Sequence, residues 1–172
     1  MREILDSSWF LFMNDRHKRL VETAVILYER EIELKSSLED YSFIVFPMSK
    51  AYEGFLKRSF LDLKLIDEHT FEGHRFRIGK ALNPDMHENQ RDKYWLFDDL
   101  EQICGHFLAR HLWETWLECR NRIFHFYAKD DNVISLETAG EKLLMLSNAM
   151  KSLVECQIDL GKKHAQVYNI PL

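Results

Sequence analysis

Apolar residues recur along most of this chain at steps of three and four, the period of helices that bury one face. Across positions 16–36, Val21, Val25, Tyr28 and Ile32 make one such stripe. Asn14 and Asp15 precede it with side-chain oxygens suited to capping a helix. Glu29, Glu31 and Glu33 fall mostly off the stripe and read as a solvated face. Residues 1–13 read as a short apolar arm carrying Trp9, Phe10 and Phe12. Helical spacing resumes over 38–66, with Ser37 and Asp40 placed as an N-terminal cap pair. Pro47 has no amide hydrogen to return to Phe43, so the spacing predicts one bent element or a close pair of helices. Beyond it Met48, Tyr52, Phe55, Leu56, Phe60 and Leu63 form a stripe, with Lys50, Glu53, Lys57 and Asp62 off its centre. Glu53 and Lys57 are spaced to pair at i,i+4 for about 0.2–0.5 kcal/mol.

The pattern then lapses. Residues 67–92 carry Gly73, Gly79, Pro84, three histidines and several charges with little periodicity. They predict a long functional loop, with room for a short helix over 76–82. Arg75, Arg77, Lys80 and Arg91 make this loop the best candidate for a local basic surface. A short helix is expected over 96–104, its acidic residues Asp98, Asp99 and Glu101 near the start, where the helix dipole favours negative charge. Gly105 either breaks or weakens it. From His106 onward Leu108, Leu112, Trp116, Cys119, Ile123 and Phe126 recur at helical steps to Tyr127. A polar turn is expected over 128–133. A last helix follows, capped by Ser135 or by Thr138 with Glu141, and burying Leu143, Leu146, Met150, Leu153, Val154 and Ile158. The sum predicts an all-α fold of four to five helices in a single domain over 1–172, with one long loop near 67–92.

Composition narrows the class. Of 172 residues, 46% are hydrophobic and 30% charged, a globular balance rather than a disordered one. Twelve Phe, six Tyr and four Trp point to a core or interface built from large rings. The net charge of −5 disfavours a protein that coats nucleic acid, so RNA would meet a local basic site. Cys104, Cys119 and Cys156 are odd in number and widely spaced, which predicts no disulfide framework and a cytoplasmic home. No apolar run reaches membrane-span length, and residues 1–14 lack the basic start, apolar core and cleavage site of a signal peptide. Cys104, His106 and His111 lack metal-ligand spacing, so no zinc site or other cofactor is expected. His69, His74 and His87 read as solvated loop residues, with metal or RNA binding as the alternative. Neither a phosphate loop nor a dinucleotide glycine pattern occurs.

Chemistry concentrates in Cys119-Arg120-Asn121-Arg122-Ile123-Phe124-His125-Phe126-Tyr127. Histidine suits proton transfer near neutral pH, and the arginine fork suits phosphate. The amide of Asn121 can orient either. On a straight helix Asn121 and His125 share a face, whereas Arg120 and His125 are turned about 140° apart. Arg122 is read as an RNA-backbone contact or a solvated charge. One histidine leaves one proton role unfilled, and a two-fold dimer supplies the second.

The arginine, the polar residue after it and the histidine five positions beyond the arginine resemble the signature of HEPN domains. Ala51-Tyr52-Glu53-Gly54-Phe55-Leu56-Lys57 and His111-Leu112-Trp113 resemble the HEPN branch found in RNase LS-type toxins, as a module without that group's extra domains. The resemblance implies a metal-free endoribonuclease acting as a homodimer with a composite cleft, a toxin or defence effector. His125 would be its general acid/base, Arg120 its phosphate stabiliser and Asn121 its positioning group. Glu53, Lys57 and Arg122 are further substrate-binding candidates. RNA and an antitoxin, a nucleotidyltransferase or another protein, would be its partners. Tyr127 completes an R-x4-H-x-Y pattern, the position at which such antitoxins attach AMP. A non-catalytic helical binding or scaffold module is the alternative reading.

Overall fold

The computed structural model describes residues 1–125 and 132–167, the last five of these by backbone alone. Phe126, Tyr127, most of the expected turn at 128–133 and the tail at 168–172 lie outside the described residues. The chain is all-α, and among the described residues no strand occurs. Five described helices reach eight residues or more: α2 (Asp15–Leu34), α3 (Ser42–Asp62), α6 (Phe97–Cys104), α7 (His106–Trp116) and α9 (Leu136–Val167). Shorter ones are α1 (Ser8–Leu11), α4 (Glu68–Glu72), α5 (Ile78–Leu82) and α8 (Arg122–Phe124). No described helix is long and apolar enough to cross a membrane.

Helix α3 is the centre. Ile44, Val45, Met48, Ala51, Tyr52, Leu56 and Phe60 are all buried and make one broad face covering about half its circumference. Helix α2 packs on one side and α9 on another. Full burial of each large side chain contributes about 1.5–3 kcal/mol. Pro47 sits inside α3 as one buried residue of a single helix, so the lost bond to Phe43 does not split it. The helix begins at Ser42, later than the spacing predicted. Asp40, rather than Ser37, fixes this start by accepting from Ser42 N (3.0 Å), Ser42 Oγ (2.6 Å) and Ile134 N (3.1 Å). Burial raises the Asp40 pKa, but these hydrogen bonds outweigh it and hold the carboxyl below its ordinary value.

Helix α2 starts where Asn14 Oδ1 accepts from His17 N at 2.9 Å. Val21 and Val25 are buried as expected, but Ile32 is exposed and Glu31 is buried instead. The chain turns back at Lys35 in the left-handed region, φ 47°. That brings the Ser36 hydroxyl onto the Glu31 carboxylate, which together with the adjacent Arg30 lowers its pKa. The N-terminal arm belongs to the core: Trp9 is fully buried and donates through Nε1 to Ser147 Oγ on α9 at 3.1 Å. Helix α9, about 48 Å long, is capped by Ser135, whose Oγ accepts from Thr138 N at 3.1 Å. Ile158 at its far end is exposed rather than core.

The expected long loop is more ordered than its pattern predicted. It holds α4, capped by Asp67, and α5, which falls in the anticipated 76–82 stretch. Ile78, Ala81 and Leu82 are buried and α5 packs on α7. Gly79 permits this approach: a Cβ there would lie 2.2 Å from the Trp116 ring. Gly105, at φ 89° and ψ 154°, breaks α6 from α7 in a region L side chains rarely adopt. The absence of a disulfide, expected from cysteine spacing, is corrected. Cys104 at the end of α6 and Cys156 on α9 are bonded, S–S 2.03 Å, across 52 residues of sequence. The helix packing, not their separation along the chain, brings them together.

Candidate functional site

The helix that carries the motif does not run straight to Tyr127. After α7 the chain makes a π turn over Leu117–Asn121, then the short α8, and leaves helical geometry at His125 (φ −105°, ψ 133°). A π turn widens the ladder from i→i+4 to i→i+5 and recurs at functional sites. It is anchored from behind. Cys119 is fully buried, and its carbonyl accepts from the buried Ser49 Oγ of α3 at 2.6 Å. Tyr52, also buried, donates to the Leu112 carbonyl at 3.0 Å. Burial pushes the Cys119 thiol up to about 12, with Lys142 opposing, so the thiol stays protonated and unreactive near neutral pH.

Arg120 faces α3. Its Nε lies 3.4 Å from Glu53 Oε1, and its guanidinium is 5.9 Å from the centre of the Phe124 ring. The same Glu53 oxygen accepts from Trp116 Nε1 at 3.0 Å. A small groove of about 150 Å³ opens here, lined by Phe46, Ser49, Lys50, Glu53, Arg120 and Phe124. Phe46 and Phe124 meet edge to face at 5.4 Å and form its apolar wall. Arg120 remains 34% exposed, so a phosphate can reach it from solvent. Exposed Lys50 adds a second cation to the one carboxylate.

The other predicted residues are spread around this groove. Asn121 closes the π turn, half-buried, and among the described residues its amide makes no hydrogen bond. His125 is exposed just past the end of α8, and its backbone carbonyl accepts from Asn132 Nδ2 at 2.7 Å. The straight-helix arithmetic that put Asn121 and His125 on one face therefore does not apply, because His125 is no longer helical. Arg122 is exposed and pairs with Glu118, which also receives Lys142 Nζ at 3.2 Å. The expected Glu53–Lys57 pair is corrected: Glu53 is held by Trp116 and Arg120, while Lys57 Nζ donates to the Gly73 carbonyl at 2.9 Å. Tyr127 lies outside the described residues.

Some residues that build the site were not picked out from sequence. Ser49 reads as one small polar residue in an apolar run, and only its bond to Cys119 explains it. Trp116 reads as core, yet it joins Glu53 to the Gly79 face of α5. Of the loop cations, Arg75, Arg77 and Lys80 line a cleft with His69 and His74, whereas Arg91 lies over the Trp95 ring at 3.9 Å. His106 reaches Glu101 at 3.2 Å and His111 stacks on Phe107, so neither joins Cys104. Among the described residues no three His, Cys, Asp or Glu side chains gather as metal ligands would. Comparison of the chain with family models, characterised proteins and solved structures finds no match.

Proposed function

We propose that this protein is a metal-independent endoribonuclease of HEPN type, working as a homodimer in the cytoplasm as a toxin or defence effector. One observation carries the reading. The π turn and the break after Phe124 leave a guanidinium in a solvent-reachable groove and an exposed imidazole five residues on, with the amide of Asn121 between them in sequence. That set suits phosphodiester cleavage. One His125 takes the proton of the 2′-hydroxyl as its oxygen attacks phosphorus. The His125 of a second copy protonates the departing 5′-oxygen. Arg120 holds the charged phosphorane through its fork of donors, and Asn121 orients a non-bridging oxygen. The products are a 2′,3′-cyclic phosphate and a 5′-hydroxyl.

Glu53 acts here as the ground-state partner of Arg120, displaced when phosphate arrives. Lys57 and Arg122 are second-rank RNA contacts, because each already serves an intramolecular partner. An antitoxin would silence the site, by AMP on Tyr127 if it is a nucleotidyltransferase. A reducing cytoplasm keeps most cysteine pairs as thiols, so Cys104 and Cys156 would bond there only on oxidation.

A second reading has one observation in its favour. Glu53 and Glu118 already neutralise Arg120 and Arg122, as a non-catalytic HEPN-like scaffold would require. Expression separates the two. Wild type should arrest growth and fragment cellular RNA, and His125→Ala should do neither. Harmless expression of a folded wild type favours the scaffold.

A further inference from the structure

A second cleft lies away from the motif, in the segment between α3 and α6. Its volume is about 650 Å³, within the range of small-ligand sites. Its wall carries cations in excess: Arg75, Arg77 and Lys80, against one carboxylate, Asp92. Asp92 is committed to Lys80 Nζ at 2.5 Å. Among the described residues neither Arg75 nor Arg77 has a carboxylate within ion-pair distance. Lys57 stands behind the same wall, bonded to the Gly73 carbonyl, and burial and the Arg77 charge both depress its pKa. Like charges gathered without counter-ions are stabilised by an anion. Beside them Phe76 and Tyr94 meet edge to face at 6.2 Å and give the cleft an aromatic wall. Arginine forks next to half-buried rings fit a ligand that is both phosphorylated and flat.

We propose that this cleft is a nucleotide-binding site, in which Arg75 and Arg77 hold a phosphate and Tyr94 packs against the base. Its place relative to the Arg120 groove is set by α3. Glu53 at the groove and Lys57 at the cleft are one helical turn apart, about 6 Å along the axis. Trp116 spans the gap, bonded to Glu53 on one side and packed on Gly79 of α5 on the other. The groove and the cleft therefore adjoin neighbouring turns of α3. The site binds its ligand whether or not the chain cuts RNA, so it stands apart from the catalytic proposal. A free nucleotide and a unit of an RNA strand offer it the same chemistry.

The test is an NMR titration of the ¹⁵N-labelled full chain with AMP, adenosine, inorganic phosphate and a hexanucleotide of 2′-O-methyl RNA, which cannot be cleaved by 2′-hydroxyl attack. AMP should shift the amides of residues 69–80 and 92–94, and bind at least tenfold more tightly than adenosine or phosphate alone. Arg75→Glu should weaken AMP at least tenfold and Arg75→Lys much less, with circular dichroism unchanged, because Arg75 is exposed. His125→Ala should bind AMP like wild type. The oligonucleotide binding more tightly than AMP marks RNA as the source, and the reverse marks a free nucleotide. AMP binding no better than phosphate, AMP binding unaltered by Arg75→Glu, or shifts confined to other parts of the chain would overturn the assignment.

Discussion

The groove at Arg120 and the cleft at Arg75–Arg77 both present arginine to solvent, yet they are built in opposite ways. In the groove nearly every group is already engaged. Ser49 holds the Cys119 carbonyl, Trp116 and Arg120 share one oxygen of Glu53, and Phe124 rests on Phe46. In the cleft the cations outnumber the acids, and two arginines have no described carboxylate partner. A tightly engaged seam fixes the geometry of a few reacting groups, as catalysis needs. An open, charge-unbalanced cleft supplies attraction for an anion and tolerates more than one ligand pose. Truncating a packed or hydrogen-bonded side chain in the first region should therefore cost stability, and substitutions in the second should cost only binding.

The largest effect expected is on the helical framework that holds the seam. Closing a 52-residue loop stabilises the folded state by up to about 4 kcal/mol in the chain-entropy account. Reduction with dithiothreitol should lower the urea midpoint by a corresponding amount, and Cys156→Ser should mimic it. Trp116→Ala comes next. It removes the ring that α5 rests on and the donor to Glu53, and should cost about 2–4 kcal/mol in thermal unfolding. Because Trp116 links the two regions, it should also weaken the cleft, which an Arg75 variant would not do to the seam. Ser49→Ala leaves the buried Cys119 carbonyl without its side-chain donor and should cost about 1–3 kcal/mol. An unchanged melting temperature would show that the π turn needs no anchor. The smallest effect concerns charge. Glu53→Gln keeps an acceptor for Trp116 but frees the Arg120 guanidinium. An exposed pair is worth about 1 kcal/mol at most, so affinity for non-cleavable RNA should rise by up to about fivefold, with little change in stability.

Much of the fold was legible because periodicity reports burial. The stripes of α3, α7 and α9 and the helix within 76–82 follow from spacing, whereas at Gly105 the sequence left a break and a weakening both open and the backbone decides for the break. What the sequence hid were contacts that only packing creates. Glu31 looked solvated because its burial depends on the reversal at Lys35. Cys104 and Cys156 looked unrelated because α6 and α9 meet only in the folded chain. At the site, residue types together with the resemblance to the HEPN signature singled out Arg120, Asn121 and His125 as candidates. The π turn was invisible, since it substitutes for α-helix without a change in apolar pattern. The partner of Glu53 was misjudged for a related reason: Glu53 is four residues from Lys57, and local pairing looked simpler than a bond to a distant helix.

RNA cleavage at the Arg120–His125 stretch is the proposed activity. It is tested most directly by incubating purified wild type and His125→Ala with an end-labelled RNA in EDTA, and analysing the product ends. Wild type should cut and leave 2′,3′-cyclic phosphates. His125→Ala should lose at least about a hundredfold in rate, and no cut should occur where the attacking 2′-hydroxyl is methylated. Intact RNA with folded, dimeric wild type, or equal cleavage by His125→Ala, would contradict it.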